Sequence, residues 1–206
     1  DADRCLAVDE LGNLIDGDQI MAACGLDLLQ KGKLSGETVV ATVMSNLGLH
    51  RFVKEHGMKL ECTNVGDRNV LERMLEKGYA IGGEQSGHMI FLEHATTGDG
   101  ELTALQMLAL LKESGKKASE VFGACPRYPQ VLINIPVANN DVKKAVMASA
   151  ELAQAVAGEE EKLGDEGRVL VRPSGTEALM RVMVEAKTQQ TAQEAAQRLA
   201  DLIAKL

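Results

Sequence analysis

Short apolar runs alternate with amphipathic segments through the first half of the chain, and this alternation restricts the fold more than any other feature. Thr38–Val43 is rich in β-branched residues and apolar on both faces, as is typical of a strand buried in a parallel sheet. Helical patterns lie on either side of it, over Gln19–Gln30 and from a predicted cap at Ser45 to His56. Such β-α alternation predicts an α/β domain with a mixed, mostly parallel sheet and helices on both faces.

Glycines and helix-capping residues mark the ends of the other elements predicted in this first region. Asp67 and Asp99 are predicted helix N-caps. The predicted strands are Cys5–Val8, Leu60–Thr63, Tyr79–Ile81 and Met89–Leu92, and the remaining helices run from Asp67 to Lys77 and from Gly100 to Glu113.

The pattern changes near Arg127, where a short helix and a proline-containing linker predict a domain boundary. The second region is predicted to be a small α+β domain of order β-α-β-β-α. Its final helix is expected to begin with the capping box Thr191–Glu194. The predicted elements before it are a strand Gln130–Val137, a helix Asp141–Ala157, a solvated acidic loop Gly158–Gly167 that contains Glu159–Glu161, and strands Arg168–Val171 and Leu179–Ala186.

Composition excludes several classes of function. The 206 residues are 45% hydrophobic and 25% charged, which is typical of a soluble globular protein. The net charge of −8 and the 2% aromatic content argue against a nucleic-acid partner. No apolar stretch is long enough for a membrane span, no signal-peptide pattern is present, and the four cysteines form no C-x-x-C pair. We therefore expect a cytoplasmic protein, away from membranes, that binds a small polar ligand.

One candidate binding site is Arg172–Glu177, called the arginine loop below, which reads R-P-S-G-T-E between two predicted strands. A guanidinium matches two phosphate oxygens, the hydroxyls of Ser174 and Thr176 add donors, and Gly175 lets backbone N–H groups curl around an anion. Arg181 on the next strand could supply a second charge. The alternative is a plain β-turn whose polar side chains are solvated.

A second candidate is Gly82–His88, called the glycine loop below, which reads G-G-E-Q-S-G-H. Glu84, Gln85 and Ser86 can bond vicinal hydroxyls, while the glycines let the backbone approach a sugar ring closely. His88 can exchange protons near neutral pH. The alternative is a flexible strand connection with its polar residues in water.

Two weaker signals remain. Asp1 and Asp3, at i and i+2, can converge on a hard cation such as Mg²⁺, although terminal carboxylates are often merely solvated. Arg68 follows Asp67 at a strand-to-helix turn, where the aspartate is first a cap and the arginine a candidate phosphate contact.

Three stretches together, Asp1–Arg4, Gly83–His88 and Arg172–Glu177, occur in the order and approximate separation seen in the α-D-phosphohexomutases. Within that family, Gln85 and the Gly66–Arg68 turn resemble the bacterial phosphoglucosamine mutase branch. The similarity covers essentially the whole chain. The chain also begins without Met inside an incomplete aspartate motif, so we expect it to be a C-terminal fragment that lacks the N-terminal domains.

The resemblance implies a reaction and a division into domains. Such enzymes have four domains and interconvert glucosamine 6-phosphate and glucosamine 1-phosphate through a phosphoserine and a 1,6-bisphosphate, with Mg²⁺ beside that serine. Residues 1–15 would end the metal-loop domain, residues 16–126 would form the sugar-recognition domain, and residues 127–206 the phosphate-binding domain. The phosphoserine would lie upstream, so this fragment would hold a phosphorylated amino sugar without isomerising it.

The resemblance also implies roles for individual residues. Ala178 departs from the proline of the family, which would loosen the loop but remove no phosphate donor. By position, the metal ligands are Asp1 and Asp3, the sugar contacts Glu84 and Ser86, the proton-transfer residue His88, and the phosphate contacts Arg172, Ser174, Gly175 and Thr176. Alternatives that the residues leave open are a non-catalytic phosphosugar-binding module and a mutase for glucose or mannose phosphates. A homodimer is left open too.

Overall fold

The computed structural model describes residues 2–206. The chain forms two compact units, the first ending at Arg127 and the second spanning Tyr128–Leu206. Among the described residues no helix is both long and apolar enough to cross a bilayer.

The first unit is an α/β structure built mainly on a four-stranded sheet. Its strands are β1 Ala7–Val8, β2 Leu14–Ile15, β3 Thr38–Thr42, β4 Lys59–Thr63, β5 Ile81–Gly83 and β6 Met89–Phe91. Its helices are α1 Gly17–Gln30, α2 Leu47–Glu55, α3 Asp67–Lys77, α4 Gly100–Ser114 and α5 Ala118–Val121. The predicted strand at Cys5–Val8 is therefore shorter than expected, and it pairs with β2, which sequence reasoning missed.

The main sheet has the order β4-β3-β5-β6, and helices cover both of its faces. β3 runs parallel to β4 and β5, while β6 is antiparallel to β5. Because side chains alternate along β3, Val39 and Ala41 join the core formed with α1 and α2, and Val40 packs with Val70 and Met74 of α3 on the other face. The predicted mixed, mostly parallel sheet is confirmed.

Helix starts in this unit follow local capping chemistry, with two corrections. Asp16 caps α1 together with Gln19, and Asp99 caps α4 as predicted. The predicted caps at Ser45 and Asp67 are wrong. Asn46 caps α2 by accepting from the amide of Gly48, and α3 is preceded by a glycine, so that Asp67 is the first helical residue. An acidic residue in a first turn still interacts favourably with the helix dipole.

The second unit is a three-stranded antiparallel sheet of order β7-β9-β8 covered by helices. Its elements are β7 Gln130–Pro136, α6 Asn140–Met147, α7 Ala150–Leu163, β8 Gly167–Pro173, β9 Leu179–Ala186 and α8 Gln189–Ile203. The single helix predicted over Asp141–Ala157 is two helices, because Ser149 caps a new start by accepting from the amide of Leu152. Thr188 caps α8 in the same way, so the predicted capping box lies inside the helix.

The predicted acidic loop after Gly158 is also wrong, because α7 continues to Leu163. Glu159 is buried and forms a two-pronged ion pair with Arg198 of α8, at 2.9 Å and 2.8 Å, and accepts from Lys162 at 2.9 Å. These contacts fasten α7 to α8. A charge pattern alone could not reveal them, since the partner arginine lies 39 positions away.

Glu159→Gln is expected to lower the free energy of unfolding at neutral pH by about 1–3 kcal/mol, discounted because Arg198 and Lys162 are partly exposed to screening solvent. The two cations lower the pKa of Glu159 to about 2. The stabilisation is therefore fully present above the unfolded pKa of about 4.3 and is lost as the pH falls through the folded value. Urea titrations at pH 7 and pH 3 measure the free energy of unfolding of both chains. The difference between the variant and the parent should be smaller at pH 3 than at pH 7. Glu160→Gln, at an exposed neighbour, should show no comparable gap.

Candidate functional site

The glycine loop joins β5 to β6 as a tight hairpin in the first unit. The amide of Glu84 donates to the carbonyl of His88 at 2.9 Å, and the amide of Gly87 donates to the carbonyl of Glu84 at 2.9 Å. Two bonds from outside hold the loop backbone, from the amide of Cys5 to the carbonyl of Gly87 and from the amide of Gly17 to that of Gln85, both 3.0 Å. The loop is therefore an anchored hairpin and not a flexible connection.

Side chains of the glycine loop differ in their burial and in their hydrogen bonds to the rest of the protein. Glu84 is half-buried, and its carboxylate accepts from the backbone amide of Gly66 at 3.0 Å. Gln85 is half-buried with an amide nitrogen that has no hydrogen-bond partner within residues 2–206. Ser86 is exposed. The exposed Ser86 hydroxyl and the Glu84 carboxylate are groups suited to sugar hydroxyls, whereas the unpartnered Gln85 nitrogen is itself buried.

His88 is buried at the end of the same hairpin. Its Nε2 lies 3.9 Å from a carboxylate oxygen of Asp67, while its Nδ1 has no hydrogen-bond partner in the described part of the chain. A Cβ at Gly98 would clash with the imidazole, so glycine is needed for the ring to sit there.

Arg68 points along its own helix. Its Nε lies 2.8 Å from a carboxylate oxygen of Glu72, one turn later, and this contact raises the pKa of the guanidinium. The side chain is largely exposed. Its role as a phosphate contact stays a prediction.

In the second unit, the arginine loop connects β8 to β9, and its two arginines lie opposite each other. Arg172 pairs with Arg181 in the antiparallel register. Burial, with a further contribution from the nearby Arg181, lowers the pKa of the Arg172 guanidinium. Arg181 donates to a carboxylate oxygen of Glu177 at 2.6 Å, and its buried Nε has no hydrogen-bond partner within residues 2–206. Two cations at one hairpin end can bind an anion.

The turn of the arginine loop is ordered by its own backbone. The amide of Ser174 donates to the carbonyl of Leu179 at 2.9 Å, and the buried Ser174 hydroxyl accepts from the amide of Glu177 at 3.2 Å. Gly175 and Thr176 are exposed at the tip. The hairpin thus presents two guanidiniums, an exposed hydroxyl and exposed backbone.

Comparison with known families bears on both units. The sequence model described as phosphoglucomutase/phosphomannomutase, alpha/beta/alpha domain III, matches residues 16–128, more than half of the chain. The model of the phosphoglucomutase/phosphomannomutase C-terminal domain matches residues 132–202. The chain belongs to this family. The resemblance inferred from the three sequence stretches is confirmed.

Individual relatives of this family are closely similar in sequence. A phosphoglucosamine mutase of Saccharopolyspora erythraea is 54% identical over 204 residues, covering 99% of this chain and 45% of the relative. One from Ruminiclostridium cellulolyticum is 59% identical over 188 residues, covering 91% of this chain and 41% of the relative. The chain thus spans less than half the length of these relatives.

Solved structures share the fold. Aspergillus fumigatus N-acetylphosphoglucosamine mutase in complex with GlcNAc-6P and magnesium superposes with a TM-score of 0.81 at 23% identity, over 98% of this chain and 50% of that one. An N-acetylglucosamine-phosphate mutase in its substrate complex gives a TM-score of 0.79 at 22% identity, over 98% of this chain and 47% of that one. At this identity the likeness shows the family fold.

The predicted metal ligands do not form a magnesium site within the described residues. Asp1 lies outside them. Asp3 is partly exposed with a carboxylate oxygen 3.9 Å from the Nε of Arg4, and Arg4 makes an isolated antiparallel bridge with His88. No group of three ligating His, Cys, Asp or Glu side chains occurs in residues 2–206. Asp3 alone offers the right oxygen chemistry but too few ligands for a metal.

Sequence reasoning missed one residue of the arginine loop's surroundings. Lys143 of α6 is buried, and its ammonium donates to backbone carbonyls of Ser174 and Glu177. A signal was present, because Lys143 lies three residues before the buried Val146 and so faces the core side of the helix. A lysine on an apolar helix face needs acceptors there.

Proposed function

We propose that this chain is the sugar- and phosphate-binding half of a phosphohexomutase that interconverts glucosamine 6-phosphate and glucosamine 1-phosphate. The parent enzyme would work through a phosphoserine and a 1,6-bisphosphate intermediate. The serine would be supplied by a part of the parent that precedes these residues. The chain alone is then expected to bind substrate without isomerising it.

The observation that carries this proposal is the end of the β8–β9 hairpin. Arg172 and Arg181 lie across from each other there, next to the exposed Thr176 hydroxyl and the exposed backbone of Gly175. Like charges facing each other are costly in a ligand-free hairpin. Glu177 already pairs with Arg181, so a phosphate dianion would chiefly satisfy Arg172, which supports its assignment as the group bound by the loop.

The glycine loop would contribute the contacts to the sugar. Glu84 and Ser86 offer a carboxylate and an exposed hydroxyl, and Gln85 between them has a buried side-chain nitrogen with no hydrogen-bond partner within residues 2–206. His88, beside the Asp67 carboxylate, would hold or release a proton near the sugar. The preference for an amino sugar is supported by relatives named phosphoglucosamine mutase.

Magnesium would belong to the parent enzyme. Its support is the A. fumigatus enzyme, which was solved with GlcNAc-6P and magnesium. From this chain, Asp1 and Asp3 would add oxygen ligands to others supplied elsewhere in the parent.

Arg172→Ala is expected to weaken binding of glucosamine 6-phosphate by about tenfold to a hundredfold. The estimate corresponds to the loss of charge-assisted hydrogen bonds worth about 1.5–3 kcal/mol. Titration calorimetry on the chain measures the change, with Arg51→Ala on α2 as the control. Equal dissociation constants for Arg172→Ala and the parent chain would refute the phosphate role.

Specificity requires the full-length parent. Initial rates with glucosamine, glucose and mannose phosphates would rank the substrates, and a preference for glucose or mannose phosphate would overturn the amino-sugar assignment. Adding a phosphosugar to the chain alone and finding isomerised product would contradict the assignment of the serine to the rest of the parent.

A further inference from the structure

The ammonium group of Lys143 is buried against the arginine loop, and it contacts that loop at two points. Its Nζ lies 2.8 Å from the carbonyl oxygen of Ser174 and 2.6 Å from that of Glu177. Only 7% of the residue is exposed, so these two acceptors replace most of the hydration that the charge has lost. The lysine therefore fixes the direction of two carbonyls, one at each side of the turn.

Fixing a carbonyl also fixes the N–H group of the next residue. The peptide bonds after Ser174 and Glu177 are trans, and in a planar trans peptide the C=O and N–H bonds point in opposite directions. With both carbonyls directed at Lys143, the N–H groups of Gly175 and Ala178 must point away from it. Both residues are exposed.

These N–H groups are unused within the loop. The amides of Ser174, Glu177 and Leu179 donate to acceptors of the hairpin itself. The amides of Gly175 and Ala178 donate to no protein acceptor among residues 2–206. Free N–H groups on one turn can converge on an anion, although these two are separated by Thr176 and Glu177. Alanine at position 178 also keeps an N–H group that a proline there would lack.

We infer that Lys143 is a positioning residue for phosphate recognition: it turns the peptides of the arginine loop so that the Gly175 and Ala178 amides face the ligand. This inference rests on the proposed function. The ammonium also polarises the two peptide groups. When the C=O of a peptide group accepts a charged hydrogen bond, the N–H of the same peptide group becomes a stronger donor. Lys143 itself does not touch the phosphate.

Lys143→Met, which keeps the buried stem and removes the charge, is expected to weaken binding of glucosamine 6-phosphate by about tenfold. Nitrogen-15 correlation spectra of the chain give the second readout. In the parent chain, the Gly175 and Ala178 amide protons should move downfield on saturation with glucosamine 6-phosphate or inorganic phosphate, and in the variant this shift should shrink.

Matched variants separate positioning from general damage. Lys144→Met removes an exposed charge from the next position of α6 and should leave both readouts unchanged. Lys143→Arg restores donors and should recover part of the affinity. If Lys143→Met fails to fold, Lys143→Gln, which keeps an N–H donor but no charge, carries the same comparison.

Two results would overturn the inference. The first leaves the proposed function intact, and the second contradicts the phosphate role of the loop as well. If Lys143→Met binds as the parent does and shows the same Gly175 and Ala178 shifts, Lys143 has no positioning role and the proposed function stands. If neither ligand moves any arginine-loop amide in the parent chain, and Arg172→Ala binds no more weakly, the phosphate role of the loop falls as well.

Discussion

Arg168→Met is expected to lower the free energy of unfolding by about 3–5 kcal/mol, because it leaves a buried carboxylate without its countercharge. Glu185 on β9 is fully buried, and Arg168 on β8 faces it with its Nε 3.1 Å from a carboxylate oxygen. Hydrogen exchange followed by mass spectrometry, read on peptides that cover β9, localises the loss to the second unit.

Two further variants test this cause. Lys187→Met breaks an exposed pair with Glu166 and should cost less than about 1 kcal/mol. The double variant Arg168→Met with Glu185→Met removes both charges together and should be more stable than Arg168→Met alone. A double variant that is less stable than the single one would show that the uncompensated charge is not the source of the loss.

Gly17→Ala is expected to destabilise the first unit by about 2–4 kcal/mol and to displace the glycine loop, because overpacking against backbone cannot be relieved by a side-chain rotation. A Cβ at this position would clash with the carbonyl oxygen of Glu84 and would lie 2.9 Å from the amide nitrogen of Gly87. The substitution should also lengthen the bond from the Gly17 amide to the Gln85 carbonyl.

Thermal melting and hydrogen exchange of the glycine loop measure this effect. Gly158→Ala is the matched control, since Gly158 is also helical and its Cβ would meet no atom within 4 Å. That control should gain about 0.5–1 kcal/mol from the reduced backbone freedom of the unfolded chain. A Gly17→Ala chain as stable as its parent, with normal loop protection, would contradict the close approach seen here.

The sequence predicted best those boundaries of strands and helices that are determined by residues close together in the chain. β9 begins and ends at the predicted residues, Leu179 and Ala186, because a run of mostly apolar residues marks it clearly. The same local signals failed near residue 148, where a serine able to cap a helix lies inside an otherwise continuous alanine-rich pattern. The predicted cap at Ser45 failed by one position, since Asn46 offers an equally good acceptor.

Contacts between distant residues were beyond the sequence, and they shape both candidate sites. Lys143 meets acceptors 31 and 34 positions away, and Glu84 accepts from an amide 18 positions earlier. Composition and spacing located the two loops, because glycine, arginine and hydroxyl residues cluster in them. They could not show that a lysine from α6 supports one loop or that Asp67 faces the imidazole of His88.

The opposed arginines of the β8–β9 hairpin have a consequence for how the protein responds to ionic strength. Arg172 and Arg181 repel each other, and dissolved ions shorten the range of that repulsion. Added salt therefore reduces the repulsion energy in the ligand-free hairpin, and it also weakens the attraction between the two guanidiniums and an incoming anion. Both effects act in the same direction, so affinity for a phosphorylated ligand should decline with salt more steeply than a single guanidinium would produce.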